Sequence, residues 1–192
     1  MKYGDLNLGQ IEALINKLGG MTAVKGILRG VDVGEAIAKL LAPDITVYRV
    51  TVNRDKNLKA MIEAGQYDWT DPDVTDERIL QVEGSGMVEV DIKLFHYNRP
   101  MDEDDVYNDL RHGYRPAKIE ELLALGANLK TRDLQRQFPI VAFGSVCLCL
   151  DGYGHHHHPC LSGDESDRRF YKASFNTTWP DIWRFAAVSK PV

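Results

Sequence analysis

Long apolar runs are missing from this chain: nothing approaches the roughly 20 consecutive apolar residues that a membrane-spanning helix needs. The opening, MKYGDLNLGQIEALINKLGG, lacks the apolar centre of a secretory signal, so a cytoplasmic location and no membrane span are expected. Clustered positive charge is missing too. Lys and Arg total 23 against 28 Asp and Glu, for a net charge of −5, and no basic stripe stands out. A nucleic-acid partner held by phosphate neutralisation is therefore not expected. Cysteine is scarce and odd in number, three in 192 residues, which points to free thiols in a reducing compartment. Cys147 and Cys149 would share one face of a strand and are poorly placed to pair with each other. No phosphate-cradling loop occurs either, since Gly84-Ser85-Gly86 is followed by neither Lys-Ser/Thr nor a helix start.

With 44% hydrophobic and 27% charged residues, the composition is that of a globular protein with one sizeable core. Helical spacing of Ile11, Leu14, Ile15 and Leu18 predicts a helix from Leu8 to Leu18, capped by Asn7 and stopped at Gly19-Gly20. Further short helices are expected over Met21 to Arg29 and Val33 to Leu41. From Ile45 the apolar period becomes two and predicts a strand. A helix from Asn57 to Ala64 and a loop over Gln66 to Asp76 follow. Strands at Ile79 to Val82 and Met87 to Tyr97 are expected to join across Gly84-Ser85-Gly86. Met101 to Leu110 reads as an acidic helix, and RPAKIEELLALG as an apolar-faced helix stopped by Gly126. Phe138 to Val146 reads as a buried strand, and Trp183 to Val188 as a closing core strand. The sum is an α+β fold.

A second, local shortage is more informative. Between Cys147 and Trp183 there is no Gln or Met, and the only Glu and Lys are Glu165 and Lys172. The segment instead holds all three cysteines, the run His155, His156, His157 and His158, and a mixture of Ser, Asp, Tyr, Phe, Arg and Thr. An ordinary solvated loop would carry Lys, Glu and Gln.

Zinc needs about four converging ligands. A strand would send alternate histidines to opposite faces, which makes an exposed polar loop the plainer explanation of the run. A metal- or thiol-dependent enzyme built on His155 to His158 and Cys160 is the alternative, although no family-type signature surrounds any of the cysteines. Asp102 to Asp105 suit a solvated first helical turn. No convergent catalytic set emerges, and neither a cofactor nor a metal site is expected. The aromatics Tyr153, Phe170, Tyr171, Phe175, Trp179 and Trp183 are divided between two readings of equal weight: core anchors, or contact groups interleaved with small polar residues as on recognition surfaces.

The succession RPAKIEELLALG, FPIVAFGSV, a polar insert, Trp179 and a terminal WRFAAV strand resembles the C-terminal part of variable proteins diversified by retroelements. That family carries a C-type-lectin-like fold of the formylglycine-generating-enzyme type. In it, adenines of a template copy are replaced during reverse transcription, chiefly in asparagine codons. The products include Ser, Tyr, Cys, Phe, His, Arg and Asp, but not Lys, Glu, Gln, Met or Trp. The resemblance implies that Glu165, Lys172, Trp179 and Trp183 are fixed scaffold positions or products of other codons, and that residues 101–192 form the lectin-like domain after an N-terminal helical and α+β region at 1–100. It makes Cys147, Cys149, Tyr153, His155, His156, His157, His158, Cys160, Ser162, Asp164, Ser174, Phe175, Asn176 and Asp181 candidates for a variable ligand-binding face. Arg169, Trp179, Arg184 and Phe185 become candidates for the scaffold. The implied partner is a protein or small-molecule ligand. Self-assembly through the N-terminal region is left open, and the enzyme chemistry of the fold's namesake is not implied.

Overall fold

The computed structural model describes residues 8–29, 42–77, 79, 84–148, 156–174 and 178–190. The chain divides into two compact units, Met1–Ala42 and Pro43–Val192. In the first, α1 (Leu8–Lys17) and α2 (Gly20–Leu28) meet at Gly19 and Gly20, whose φ values of 88° and 81° suit glycine. The expected cap Asn7 and the expected helix over Val33 to Leu41 lie outside the described residues.

The second unit is mixed α/β around one large sheet. Strand β1 (Asp44–Asn53) pairs antiparallel with β3 (Met87–His96) along their whole length, from Asp44 opposite His96 to Asn53 opposite Met87. Between them α3 (Leu58–Gly65) starts at Asn57, whose side chain accepts the Ala60 N–H at 2.9 Å, and ends at Gln66 in the left-handed region. The loop expected at Gln66 to Asp76 contributes a short strand, β2 (Trp69–Thr70), because its backbone runs parallel to β8. Ile79 bridges Cys147, and the rest of the strand expected there lies outside the described residues. The pairing partners of β3 are β1 and, on its other side, β9.

The remaining elements are α4 (Glu103–Leu110), β4 (Tyr114–Pro116), α5 (Ile119–Ala127), a 3-10 turn (Arg132–Arg136), β5 (Ile140–Val141), β6 (Cys147–Leu148), β7 (His156–Gly163), β8 (Arg168–Ser174) and β9 (Arg184–Ser189). The strand order is β1-β3-β9-β5-β7-β8-β2, with β4 added on β9 and β6 on β7. Strands β1 and β3, from the region before residue 101, share this sheet with β9.

Alternation along the central strands sends neighbours into two different cores. Ile92, Leu94, Ile140, Leu161, Phe170 and Ala186 join Leu122, Leu123 and Leu125 of α5 on one side. Phe95, Val141, Cys160, Phe185 and Ala187 join Val106 and Leu110 of α4, with Trp179, on the other. Each buried Leu, Ile or Phe contributes about 1.5 to 3 kcal/mol, so both layers hold the sheet.

Two sequence expectations fail here for a common reason, the close approach of another element. Helix α5 runs through Gly126 instead of stopping there; the missing Cβ leaves room for the Tyr67 ring. Phe138 to Val146 is strand only at Ile140–Val141. The chain then bends against the start of α5, where the Gly144 N–H donates to the Ala117 carbonyl at 2.9 Å and Ser145 Oγ accepts the Ile119 N–H at 2.9 Å.

Candidate binding surface

Strands β6, β7 and β8 form a three-stranded ladder within the compositionally odd segment. In its register His157 stands opposite Cys147 on one side and Ser174 on the other. The chain leaves β6 after Leu148 and returns at His156; it leaves β8 after Ser174 and is described again at Thr178. Both departures are at the same end of the ladder. Among the candidate residues, Cys149, Tyr153, His155, Phe175 and Asn176 belong to the two intervening stretches and lie outside the described residues. His156, His157 and Ser174 occupy the last rungs beside them, and His157 is half-buried.

Several other candidates do not sit on an exposed face. Cys147, His158 and Cys160 are 1%, 0% and 0% exposed, because the pleat turns them into the two cores. Cys147 enters the core shared with α5 and Cys160 the core shared with α4, so these thiols serve opposite sides of the sheet. Burial pushes the Cys160 thiol well above its ordinary range, which suits a packing group and not a thiolate nucleophile. His158 is held at both ring nitrogens: Nδ1 lies 3.0 Å from the Ser145 carbonyl and Nε2 lies 3.1 Å from Glu103 Oε1. Its ring also packs on Phe143 at 4.7 Å. Among the described residues no group of three or more His, Cys, Asp or Glu converges as a metal site would require.

Ser162 and Asp164 lie at the opposite end of the ladder, where Ser162 faces Arg169. The five residue steps from His157 to Ser162 span roughly 17 Å at ordinary strand rise, so these two do not join the surface at His156. Asp164 is committed to its own turn: Oδ1 accepts the Ser166 hydroxyl at 2.6 Å, the Ser166 N–H at 2.7 Å and the Asp167 N–H at 3.2 Å, and these bonds hold its carboxyl below the usual range. Asp181 is exposed, and its carbonyl lies 2.9 Å from His96 Nε2.

The scaffold candidates divide as well. Trp179 and Phe185 are both 2% exposed. Trp179 packs edge-on to Trp183 at 4.6 Å, and its backbone exchanges two hydrogen bonds with Met101. Arg184 lies 4.5 Å over the Phe138 ring and donates to the Ile182 carbonyl. Arg169, however, is exposed and pairs with Asp167. The internal arginine is its neighbour Arg168, 1% exposed, whose guanidinium donates to the carbonyls of Gly65, Gly126 and Arg132 and to Gln135 Oε1. One position along a strand reverses the face, which decides between the two.

Lys172 and Glu165, whose residue types are scarce in this segment, lie at positions with evident structural contacts. Lys172 Nζ reaches Asp73 at 2.7 Å and Asp71 at 3.4 Å. The Glu165 carbonyl, in the turn between β7 and β8, accepts from Arg136 Nη1 at 3.1 Å. The sequence predicts a solvated first-turn carboxylate at Glu103, yet its side chain is only 10% exposed. Its partner His158 is 55 positions away, and no local spacing signals that pair.

Among the described residues no helix is long and apolar enough to cross a membrane. Compared with protein-family models, curated proteins and solved structures, the chain has no significant match in any of the three.

Proposed function

We propose that this chain is a ligand-binding protein whose hypervariable side chains, diversified by a retroelement through adenine mutagenesis, are carried on a C-type-lectin-like scaffold. The observation that carries this reading is the convergence at one end of the β6–β7–β8 ladder. The stretches holding Cys149, Tyr153, His155, Phe175 and Asn176 both depart beside His157, which pairs with Cys147 and Ser174. His156, His157 and Ser174, distant in sequence from Cys147 or from one another, thereby stand at one end of a sheet whose interior positions are packed. A packed ladder already bears the ordering cost, so rim side chains change ligand preference without refolding the chain.

The fixed positions support the same division. Trp179 packs in the core and the Lys172 ammonium is held by Asp71 and Asp73, as positions outside adenine-directed replacement should be. Cys147, His158, Cys160, Ser162 and Asp164 drop out of the binding set. The ligand is a protein or small molecule met in the cytoplasm.

The DNA beside the gene tests this. A near-copy of the stretch encoding Cys147 to Phe185, differing almost only at adenines and accompanied by a reverse transcriptase gene, is the expected result. Flanking sequence with no such copy would overturn the reading.

A further inference from the structure

Glu120 and Glu121, side by side in the first turn of α5, are 2% and 0% exposed, yet among the described residues only Glu121 of the two is paired with a cationic side chain. Glu121 accepts from Arg115 Nη1 at 2.9 Å, from Arg115 Nη2, and from the Lys118 N–H at 2.8 Å, so it closes both the ion pair and the helix start. Burial pushes the Glu120 carboxyl above the usual carboxylate range; among the described residues its own backbone N–H is its hydrogen-bond partner, with Glu121, Lys118 and Arg54 acting through their charges.

Glu120 also lines a cavity of about 220 Å³ bounded by α3, α5 and β1, with Met61, Leu123 and Ala124 among its apolar walls. That volume is below the roughly 300 to 1,000 Å³ of sites for drug-sized ligands, so a much smaller molecule fits. Asn53, Asn128 and Lys56 also border it. Asn53 Oδ1 accepts the Asp55 N–H and Asn128 Oδ1 the Lys130 N–H, which leaves their amide N–H groups as donors. None of the described residues that line it belongs to the 147–183 segment.

We propose that this cavity binds a small primary monoamine with a branched apolar tail, the ammonium meeting the Glu120 carboxylate and the tail lying against Met61, Leu123 and Ala124. A buried carboxylate that lacks a fold partner is matched by a charge-assisted donor more strongly than by a neutral one. Carboxylate ligands are opposed by Glu120, and diamines by Lys56.

Titration calorimetry of the full chain with 3-methylbutylamine, 3-methylbutanol and 3-methylbutanoate separates the chemistries. The amine is expected to bind at least tenfold more tightly than the alcohol, with no heat from the carboxylate. Glu120→Gln should erase the amine preference, and Ala124→Leu, which fills the cavity, should abolish binding of every probe while the thermal midpoint holds. Equal binding of amine and alcohol overturns the proposal, as does an Ala124→Leu chain that still binds the amine; neither depends on the folding of Glu120→Gln.

Discussion

His158 Nε2 lies 3.1 Å from Glu103 Oε1, with the two side chains only 1% and 10% exposed. The contact joins the middle of β7 to the first turn of α4, and the second ring nitrogen meets the Ser145 carbonyl. One member of the histidine run is therefore a cross-link of the fold. His158→Ala strips both partners at once and should cost about 2 to 3 kcal/mol, since buried polar groups are left unmatched. Urea unfolding measures this, and a cost below about 0.5 kcal/mol would return His158 to the surface.

Arg168 and Arg169 give the sharpest contrast between neighbours. Arg168→Ala removes the shared donor of three carbonyls and of Gln135, and should destabilise the chain by at least about 3 kcal/mol. Arg169→Ala removes an exposed pair with Asp167 and should stay within about 0.5 kcal/mol. Comparable losses in the two variants would mean that the register of β8 is wrong by one residue.

Trp179 fills the layer between Phe143, Trp183 and Phe185. Trp179→Ala should lower stability by about 3 to 5 kcal/mol, the range for a buried aromatic. Thermal and chemical unfolding should agree on that loss; a neutral variant would remove Trp179 from the core.

Thiol reactivity tests the cores chemically. In a Cys149→Ser background, Cys147 and Cys160 should resist a disulfide reagent at pH 8 and react only as the protein unfolds, because both are buried. Labelling within seconds of mixing, under conditions where the fold persists, contradicts their placement.

Glu120 makes stability depend on pH. Its carboxyl is pushed above the ordinary value of 4.5 by burial, so on raising the pH the unfolded chain releases this proton first. Stability is therefore lost as pH climbs through the unfolded value and levels off above the folded one. Relative to Glu120→Gln, the natural chain should lose ground over that window. A stability difference that is flat from pH 4 to 8 would show that Glu120 titrates normally.

Much of the local structure was legible in the chain. Alternation from Ile45 marked β1, Asn57 marked the start of α3, and the spacing of Ile119, Leu122, Leu123 and Leu125 marked α5. These signals rest on interactions within one turn or one strand. Glycine misled where its reason was tertiary: Gly126 reads as a stop by local chemistry but serves the packing of Tyr67.

The sequence by itself determined the types of α3, α4, α5, β1, β3 and β9, the absence of a long apolar span and the odd vocabulary of 147–183, because composition and periodicity are properties of the chain read in order. Tertiary structure decided which neighbours face inward, since a strand's faces exchange at every residue and only the partner strands set the register. That step separates Arg168 from Arg169 and turns Cys147 and Cys160 into different cores. It also joins His158 to Glu103 across 55 positions, a pairing that the chain meets only after the sheet and α4 have closed on each other.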